Sequence, residues 1–341
     1  MKKNYFQTLI ILVFLLSQNA VIAESLPEWH LQQLPEQPSL RSSAIKDNVL
    51  WVAGTKGKVY KSIDKGTTWI DVSLKNQADL DIRDIHAFDK NTAILMSVGS
   101  GENSRLYKTT DAGKNWNVLY QNTDKTGFFD SIDFWDKDSG LLLGDPVDGY
   151  YVVKITKDGG KTWTRINETN LPKQLDNEAA FAASGNTLIV GNIGKAWFTT
   201  GGFSASIMSS NNFGKSWTRQ TLPLYNKTQT AGGYGIAQNN LGEVFVVGGD
   251  YEQRDGQYTN AVTMGKEGNW VNVNTGNHGL RTAMTCVKST CIISGKLGSD
   301  ISNDNGQTWK PLHTQGYYTL ASDSNTIVGA GADGIVGVMR F

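Results

Sequence analysis

The sequence predicts an all-β protein in which residues 24–341 form a single domain, a seven-bladed β-propeller. Three observations support this prediction: one short motif recurs along the chain, its copies lie about one blade apart, and the two chain ends each supply part of one further blade. Propeller blades are four-stranded sheets that typically repeat every ~40 to 50 residues around a central channel. The 37 glycines and 10 tryptophans suit a fold with many tight turns and a tryptophan in each repeat.

The recurring motif is Ser/Thr-x-Asp-x-Gly-x-Thr/Ser-Trp. Its Asp and Ser/Thr side chains are suited to hydrogen-bond the backbone of a turn, and its glycine can take a positive φ. Its tryptophan ring can pack between blades while the indole N–H finds an acceptor. We therefore expect a structural role, not a catalytic one, for the motif residues. They are Asp64 and Trp69, Asp111 and Trp116, Asp158 and Trp163, Asn212 and Trp217, and Asp304 and Trp309.

The spacing of the motifs predicts the number of blades. Counting a degenerate copy that ends at Trp270, the motif tryptophans follow one another after 47, 47, 54, 53 and 39 residues. Trp29 begins a strand like those that follow the motifs, 40 residues before the first motif tryptophan, whereas residues 316–341 contain three predicted strands and no motif. The N-terminal strand is therefore expected to complete the last blade, which makes seven blades and leaves no open edge.

The motif resembles the Asp-box, or BNR repeat, of sialidases, other glycoside hydrolases, sortilin-type receptor domains and photosystem II assembly factors. The resemblance covers residues 26–341. The strings Phe128-Phe-Asp-Ser-Ile-Asp-Phe-Trp-Asp and Gly140-Leu-Leu-Leu-Gly-Asp-Pro-Val-Asp-Gly look like bacterial relatives of the photosystem II stability/assembly factor. This resemblance implies an exported propeller with a cluster of arginines that binds protein. The Phe/Tyr-Arg-Ile-Pro motif of sialidases is absent, since the nearest string, Thr164-Arg-Ile-Asn, lacks the proline.

A candidate site is expected around the central channel, where the innermost strand of each blade begins. Aligning the seven predicted inner strands by their apolar positions places one residue of each blade in a ring. The ring consists of Arg41, Arg83, Asp130, Glu178, Tyr234, Arg281 and Tyr318. Its three arginines and Tyr318 form one arc, and its two acids and Tyr234 form the other.

The arginine arc has two interpretations. Guanidinium groups pair bidentately with carboxylates, so the arc can bind a carboxylate or an acidic peptide end. Alternatively, Arg41 or Arg83 pairs internally with Asp130, Glu178 or Asp84. We expect a non-catalytic propeller that binds a protein or peptide partner through its central top face. A role in assembly or maturation is implied by the resemblance alone.

Two other functions stay open at this stage. A glycoside hydrolase needs two carboxyl groups flanking the scissile bond, and Asp130 with Glu178 is the candidate pair. A carbohydrate-binding or surface-adhesion module is the third possibility. The loop Asp145-Pro-Val-Asp148-Gly is suited to shape the top face or to hold a cation, although turn chemistry explains it equally well.

Composition narrows the range of ligands. The chain has 32 basic and 32 acidic residues, a formal net charge of zero, which argues against a nucleic-acid-binding protein. The four histidines are scattered, and two cysteines do not make a zinc site, so we expect neither metal nor cofactor. Cys286 and Cys291 flank a predicted hairpin turn, which favours a structural disulfide over a redox-active pair.

The N-terminus predicts export. Lys2 and Lys3 precede an apolar run, Leu9–Leu16, and small residues lead to Ala23. This pattern is typical of a signal peptide over residues 1–23 that is cleaved after Ala23. A retained membrane anchor is the alternative, but the run is shorter than the ~20 residues needed to span a bilayer. We expect a periplasmic or secreted monomer whose mature chain has no membrane span.

Overall fold

The computed structural model describes residues 27–341, and the predicted signal peptide, residues 1–23, lies outside this range. The described chain forms seven antiparallel sheets of four strands each, which confirms the seven-bladed β-propeller. Its helical elements are four short 3₁₀ turns: Gly101–Asn103, Glu168–Asn170, Asn192–Gly194 and Ala332–Gly334. No helix within residues 27–341 is long and apolar enough to cross a membrane.

The strands of the first four blades follow chain order. The first strand, β1 (His30–Gln33), precedes them. Blade 1 contains β2 (Leu40–Lys46), β3 (Val49–Gly54), β4 (Val59–Ser62) and β5 (Ile70–Asp71). Blade 2 contains β6 (Asp81–Ala87), β7 (Ala93–Val98), β8 (Arg105–Thr109) and β9 (Asn117–Gln121). Blade 3 contains β10 (Phe129–Phe134), β11 (Gly140–Val147), β12 (Tyr150–Thr156) and β13 (Thr164–Arg165). Blade 4 contains β14 (Leu188–Val190), β15 (Ala196–Thr200), β16 (Ser206–Ser210) and β17 (Thr218–Thr221).

The remaining three blades have the same order of strands, except that the last is completed by β1. Blade 5 contains β18 (Ala231–Gln238), β19 (Val244–Asp250), β20 (Ala261–Met264) and β21 (Trp270–Asn272). Blade 6 contains β22 (Ala283–Val287), β23 (Thr290–Gly295), β24 (Gly298–Ser302) and β25 (Lys310–His313). Blade 7 contains β26 (Thr319–Ser322), β27 (Thr326–Ala330), β28 (Ile335–Arg340) and β1.

The innermost strands surround the central channel. Each first strand, from β2 through β6, β10, β14, β18 and β22 to β26, contacts the first strand of the next blade, and β26 contacts β2. In blade 7, β1 pairs antiparallel with β28, with His30 opposite Val338. Just before β1, the Trp29 ring packs 4.6 Å from the Tyr317 ring, centroid to centroid. The N-terminal segment is thus bound to the last blade by both backbone pairing and aromatic packing.

The apolar core is divided into seven clusters, one between each pair of neighbouring blades. Between blades 1 and 2, for example, the fully buried Trp51 contacts the motif residue Trp116 edge-on, with ring centroids 6.1 Å apart. Both faces of each sheet are therefore covered by other blades, which explains why strands such as β3 and β19 are buried along their whole length.

The Asp-box residues make the predicted turn contacts. Asp158 accepts hydrogen bonds from the Thr162 amide (2.9 Å), the Thr162 hydroxyl (2.6 Å) and the Thr156 hydroxyl (2.9 Å). The Thr162 donors lower the pKa of Asp158 to about 2. Asn212 replaces the aspartate in blade 4 and makes matching contacts, because its Oδ1 accepts from the Ser216 amide while its Nδ2 donates to the Ser216 hydroxyl. The motif therefore needs the acceptor geometry and tolerates loss of the charge.

The Asp-box glycines and tryptophans connect neighbouring blades. Gly306 has φ +90°, and a Cβ there would lie 2.6 Å from the Phe245 ring of blade 5, so the turn fits closely on the preceding blade only with glycine. The indole N–H of Trp116 donates to the Val72 carbonyl of blade 1 at 2.8 Å. The N–H groups of Trp163, Trp217 and Trp309 donate instead to their own motif glycines, and the buried N–H of Trp69 has no protein partner among the described residues.

The two cysteines form the predicted disulfide. Cys286 on β22 lies directly opposite Cys291 on β23, and their sulfur atoms are bonded. Strand pairing continues to Val287 and Thr290, so the turn of this hairpin contains two residues. The bond therefore links the first two strands of blade 6 next to the loop that joins them.

Replacing Trp29 with alanine is expected to lower the free energy of unfolding by about 3–4 kcal/mol, because removing a buried aromatic side chain from a packed interface has roughly this effect. Denaturant unfolding would measure the change. Leu31→Ala is the matched control on β1, since the Leu31 side chain is 46% exposed, and its change should stay within about 0.5 kcal/mol. Similar losses from both variants would contradict the proposed contribution of the Trp29–Tyr317 contact.

Candidate functional site

Four blades present a site residue through the same backbone feature. The register of the inner strand shifts by one residue near its start, and the extra residue is Arg41 in β2, Arg83 in β6, Asp130 in β10 and Tyr234 in β18. A β-bulge re-aims the extra side chain and locally bends the strand. All four of these residues, together with Tyr318, line one cavity at the mouth of the channel. Five of the seven predicted ring residues therefore lie at the same cavity.

This cavity, called here the central cavity, has a volume of about 470 Å³. All seven blades contribute to its wall, so it exists only when the ring is assembled. Sequence reasoning missed several of its residues, namely Phe181, Tyr251, Arg254, Thr282 and Lys296. Some come from segments that make blades 4 and 5 longer than the others, and the motif spacings of 54 and 53 residues were the available signal.

The floor of the central cavity is a segment of blade 4, residues 180–186, called here the plug. The carbonyl of Ala182 accepts from Arg83 Nη1 at 2.7 Å, and the carbonyl of Gly185 accepts from the Ser131 hydroxyl at 3.1 Å. The Ser184 hydroxyl donates to the Thr282 carbonyl across the channel at 2.9 Å. The plug is therefore fixed to blades 2, 3 and 6, and it separates the central cavity from a second cavity of about 340 Å³ at the other end of the channel.

One buried carboxylate, Asp84, supports the plug through Ser131. Asp84 Oδ2 accepts from the Ser131 hydroxyl at 2.7 Å and from the Ile132 amide at 2.8 Å. Burial raises the pKa of Asp84 to about 8 although these donors oppose the shift. Because Ser131 also contacts the Gly185 carbonyl, Asp84 supports the floor of the site and takes no part in the arginine pairing considered from the sequence.

The basic wall of the central cavity contains Arg41, which is partly buried and has no carboxylate partner among the described residues. The Arg41 guanidinium carbon lies 4.1 Å from the centroid of the Tyr318 ring, a cation–π arrangement, and Nε donates to the Ser39 hydroxyl at 2.9 Å. Within residues 27–341 no acid forms a salt bridge with Arg41. Burial and then the charge of Arg83 lower the pKa of Arg41. Arg254 and Lys296 are exposed at the same cavity and extend the positive wall.

Arg83 is bound internally. Its Nη2 lies 2.7 Å from Asp81 Oδ2, Nε donates to the same oxygen at 2.8 Å, and Nη1 donates to the plug. Of the two interpretations drawn from the sequence, internal pairing therefore describes Arg83, although its partner is Asp81. The ligand-binding interpretation remains available for Arg41.

The opposite wall is acidic. Asp130 is fully buried, and neither of its carboxylate oxygens has a hydrogen-bond partner in the described structure. Burial and then the nearby Asp145 charge raise the pKa of Asp130 well above its usual range. Asp145 also lines the cavity and accepts from the Ala180 amide at 3.3 Å, and burial raises its pKa as well. The site thus holds positive groups on one side and two poorly solvated acids on the other.

Two predicted ring residues, Arg281 and Glu178, do not line the central cavity. Thr282 lines the cavity, and adjacent residues in an extended chain point to opposite sides. Arg281 therefore points into the blades, where its Nη2 lies 3.0 Å from Asp300 Oδ2. Glu178 is also buried away from the cavity, where it pairs with Arg219 and accepts from the Thr200 hydroxyl at 2.7 Å. Alignment by apolar positions was shifted by one residue in blade 6 and by two in blade 4, where Ala180 lines the cavity.

These placements bear on the chemistry of the site. The proposed hydrolase pair is not assembled, because Asp130 lines the cavity and Glu178 is bound to Arg219 outside it. Asp148 and Gly149 form the turn between β11 and β12, with φ values of 57° and 82°, which is the turn chemistry considered from the sequence. In the described part of the chain, no three His, Cys, Asp or Glu side chains are grouped so as to hold a metal ion.

The fold and its motifs define a BNR-repeat propeller. A family model described as photosynthesis system II assembly factor YCF48 matches residues 14–129. Two solved structures of that factor are similar. YCF48 bound to D1 peptide is 15% identical, with a TM-score of 0.68, and the match covers 92% of this chain and 95% of that one. YCF48 from Cyanidioschyzon merolae is 14% identical, with a TM-score of 0.65, and the match covers 91% of this chain and 98% of that one. This propeller therefore resembles the photosystem II assembly factor family.

More distant enzymes share the fold. A GH74 enzyme of Niastella koreensis is 12% identical, with a TM-score of 0.60, and the match covers 88% of this chain and 52% of the enzyme. At this level of identity, the likeness is one of architecture, which many unrelated functions share. A comparison with curated proteins found no match.

Replacing Asp130 with asparagine is expected to stabilise the protein at high pH. A carboxyl group whose pKa is higher in the folded state contributes stability at acid pH that is lost as the pH rises through the folded-state pKa. Asp130→Asn should therefore match the parent near pH 4 and exceed its free energy of unfolding at pH 8, by about 1.4 kcal/mol for each unit by which folding raises the pKa of the carboxyl group within that range.

Denaturant unfolding at the two pH values measures this difference. Asp148→Asn is the matched control, since it removes the same charge from an exposed turn where asparagine accepts the positive φ. An Asp130→Asn variant that is equally destabilised at both pH values would contradict the assignment of an unpaired, poorly solvated carboxyl group.

Proposed function

We propose that this chain is an exported, non-catalytic propeller that binds the carboxyl-terminal end of a protein or peptide partner in the central cavity. The observation that supports the proposal is Arg41, which is held over the Tyr318 ring at a cavity built by all seven blades and has no carboxylate partner in the described structure. A guanidinium group of this kind suits a carboxylate ligand. Arg254 and Lys296 add positive charge at the same wall.

The size and position of the cavity favour a chain end over a folded surface. A volume of about 470 Å³ lies in the range of small-ligand pockets, and the plug limits how far a ligand enters. The similar structure of YCF48 with a D1 peptide supports peptide binding as the kind of activity that this architecture provides. An assembly or maturation role for this chain follows from that likeness as part of the proposal.

Replacing Arg41 with alanine is expected to weaken binding of peptides with a free carboxyl end by about 10- to 100-fold, since a hydrogen bond to a charged group contributes about 1.5–3 kcal/mol. A pool of random tetrapeptides with free carboxyl ends, and the same pool with amidated ends, provides the probe for retention on the immobilised mature chain. Arg340→Ala is the control, because Arg340 is an exposed arginine outside the cavity. Equal retention of the two pools by the parent protein would refute the proposal.

Export is the second part of the proposal, supported by the sequence of residues 1–23 and by the Cys286–Cys291 disulfide. The full chain, expressed in a Gram-negative host, is expected in the periplasmic fraction with Glu24 as its first residue. N-terminal sequencing measures the cleavage position, and Ala23→Arg should block cleavage because the site needs a small residue. Recovery of an uncleaved parent chain from the cytosol would contradict export.

A further inference from the structure

Asp130 is a buried hydrogen-bond acceptor without a donor in the described structure. Its side chain lies in the wall of the central cavity, it is fully buried, and both carboxylate oxygens lack a hydrogen-bond partner in the described structure. Buried polar groups in folded proteins are nearly always paired, since an unpaired one costs about 1–3 kcal/mol and a charged one costs more. An exception at a cavity wall points to a partner that comes from outside the chain.

Two arginines of the neighbouring blades 2 and 4 are already engaged. Arg83 is bound to Asp81 and to the plug. Arg219 is bound to Glu178 and donates to the Lys173 carbonyl at 2.8 Å. Neither guanidinium reaches Asp130, and the plug amide of Ala180 reaches only Asp145, at 3.3 Å. The fold thus holds two neighbouring carboxyl groups at the cavity and supplies a single weak donor to them.

The charges of the two walls restrict the ligand further. The basic wall of Arg41, Arg254 and Lys296 accommodates a carboxylate, but a ligand with negative charge alone would leave the acidic wall unpaired or repelled. A ligand that carries both signs complements both walls. In a partner whose amino terminus lies far from its carboxyl end, this requires a cationic side chain within a few residues of the terminal carboxylate, because the cavity admits only a short segment.

We propose that Asp130 and Asp145 form a subsite for a lysine or arginine side chain of the same peptide whose carboxyl end binds at Arg41. This inference rests on the proposed function and adds the side-chain specificity of the ligand. An ammonium or guanidinium group supplies both the positive charge and the N–H donors that the two carboxyl groups lack.

The test uses the mature chain, residues 24–341, immobilised as the parent protein and as Asp130→Asn, Asp145→Asn and Asp148→Asn variants. Each is exposed to a pool of tetrapeptides with acetylated amino ends and free carboxyl ends, which includes lysine, arginine and the uncharged lysine analogue norleucine. Mass spectrometry identifies the retained peptides. The parent and Asp148→Asn should enrich lysine or arginine at one fixed position by about tenfold or more over norleucine, whereas Asp130→Asn and Asp145→Asn should lose that preference and still select free carboxyl ends.

The outcomes separate this inference from the proposed function. Retention of carboxyl-ended peptides by the parent without a basic preference, or a basic preference that survives Asp130→Asn, overturns the subsite and leaves the proposed function intact. Retention of no peptide overturns both. Thermal unfolding of each variant confirms that a lost preference is not lost folding, and Asp145→Asn gives a second reading should Asp130→Asn fail to fold.

Discussion

Each blade of this propeller buries its apolar residues against the two neighbouring blades, and the whole structure depends on that contact being made seven times around a closed ring. The core consists of seven separate clusters, each shared by two sheets, so no blade has an apolar core of its own. Pairing of β1 with β28 and packing of Trp29 on Tyr317 bring the two ends of the chain together in the last blade. The central cavity is a product of this closure, because every blade contributes to its wall.

The blades could be predicted because the residues that define each one lie close together in the sequence. An Asp-box places the acceptor, the glycine and the tryptophan within one turn, and Asp158 and Asn212 make the contacts that this spacing predicts. The cavity was only partly predictable. Where the inner strand carries a single extra residue, as at Arg41 or Asp130, alignment by apolar positions found the correct side chain.

Arg281 shows why the rest could not be predicted. Whether it or Thr282 faces the channel depends on the start of the strand pairing, and a shift of one residue reverses the direction of every side chain. The plug is harder still, since its course is fixed by contacts with Arg83, Ser131 and Thr282, which lie in other blades. Sequence spacing reveals that blade 4 is long but not where its extra residues lie.

Some charged residues of the cavity have a counterion within the described structure, and others do not. Arg83 is committed to Asp81 and to the plug, and therefore maintains the shape of the site. Arg41, one blade away, stacks on Tyr318 and lines the cavity without an acid partner among residues 27–341. On the other wall, Asp130 has been desolvated without compensation. Residues of the same type thus differ in whether the fold supplies a counterion, and the proposed ligand contacts are those for which it supplies none.

The plug gives the propeller two ends that can change independently. Because residues 180–186 lie across the channel, the propeller has two separate cavities, one at each end. The second cavity has its own polar wall, in which His86 Nδ1 lies 3.0 Å from Asp133 Oδ1. His86 and Asp133 do not line the central cavity, so substitutions there leave the lining residues of the central cavity in place. One ring of seven blades can therefore change the lining of one cavity while keeping that of the other.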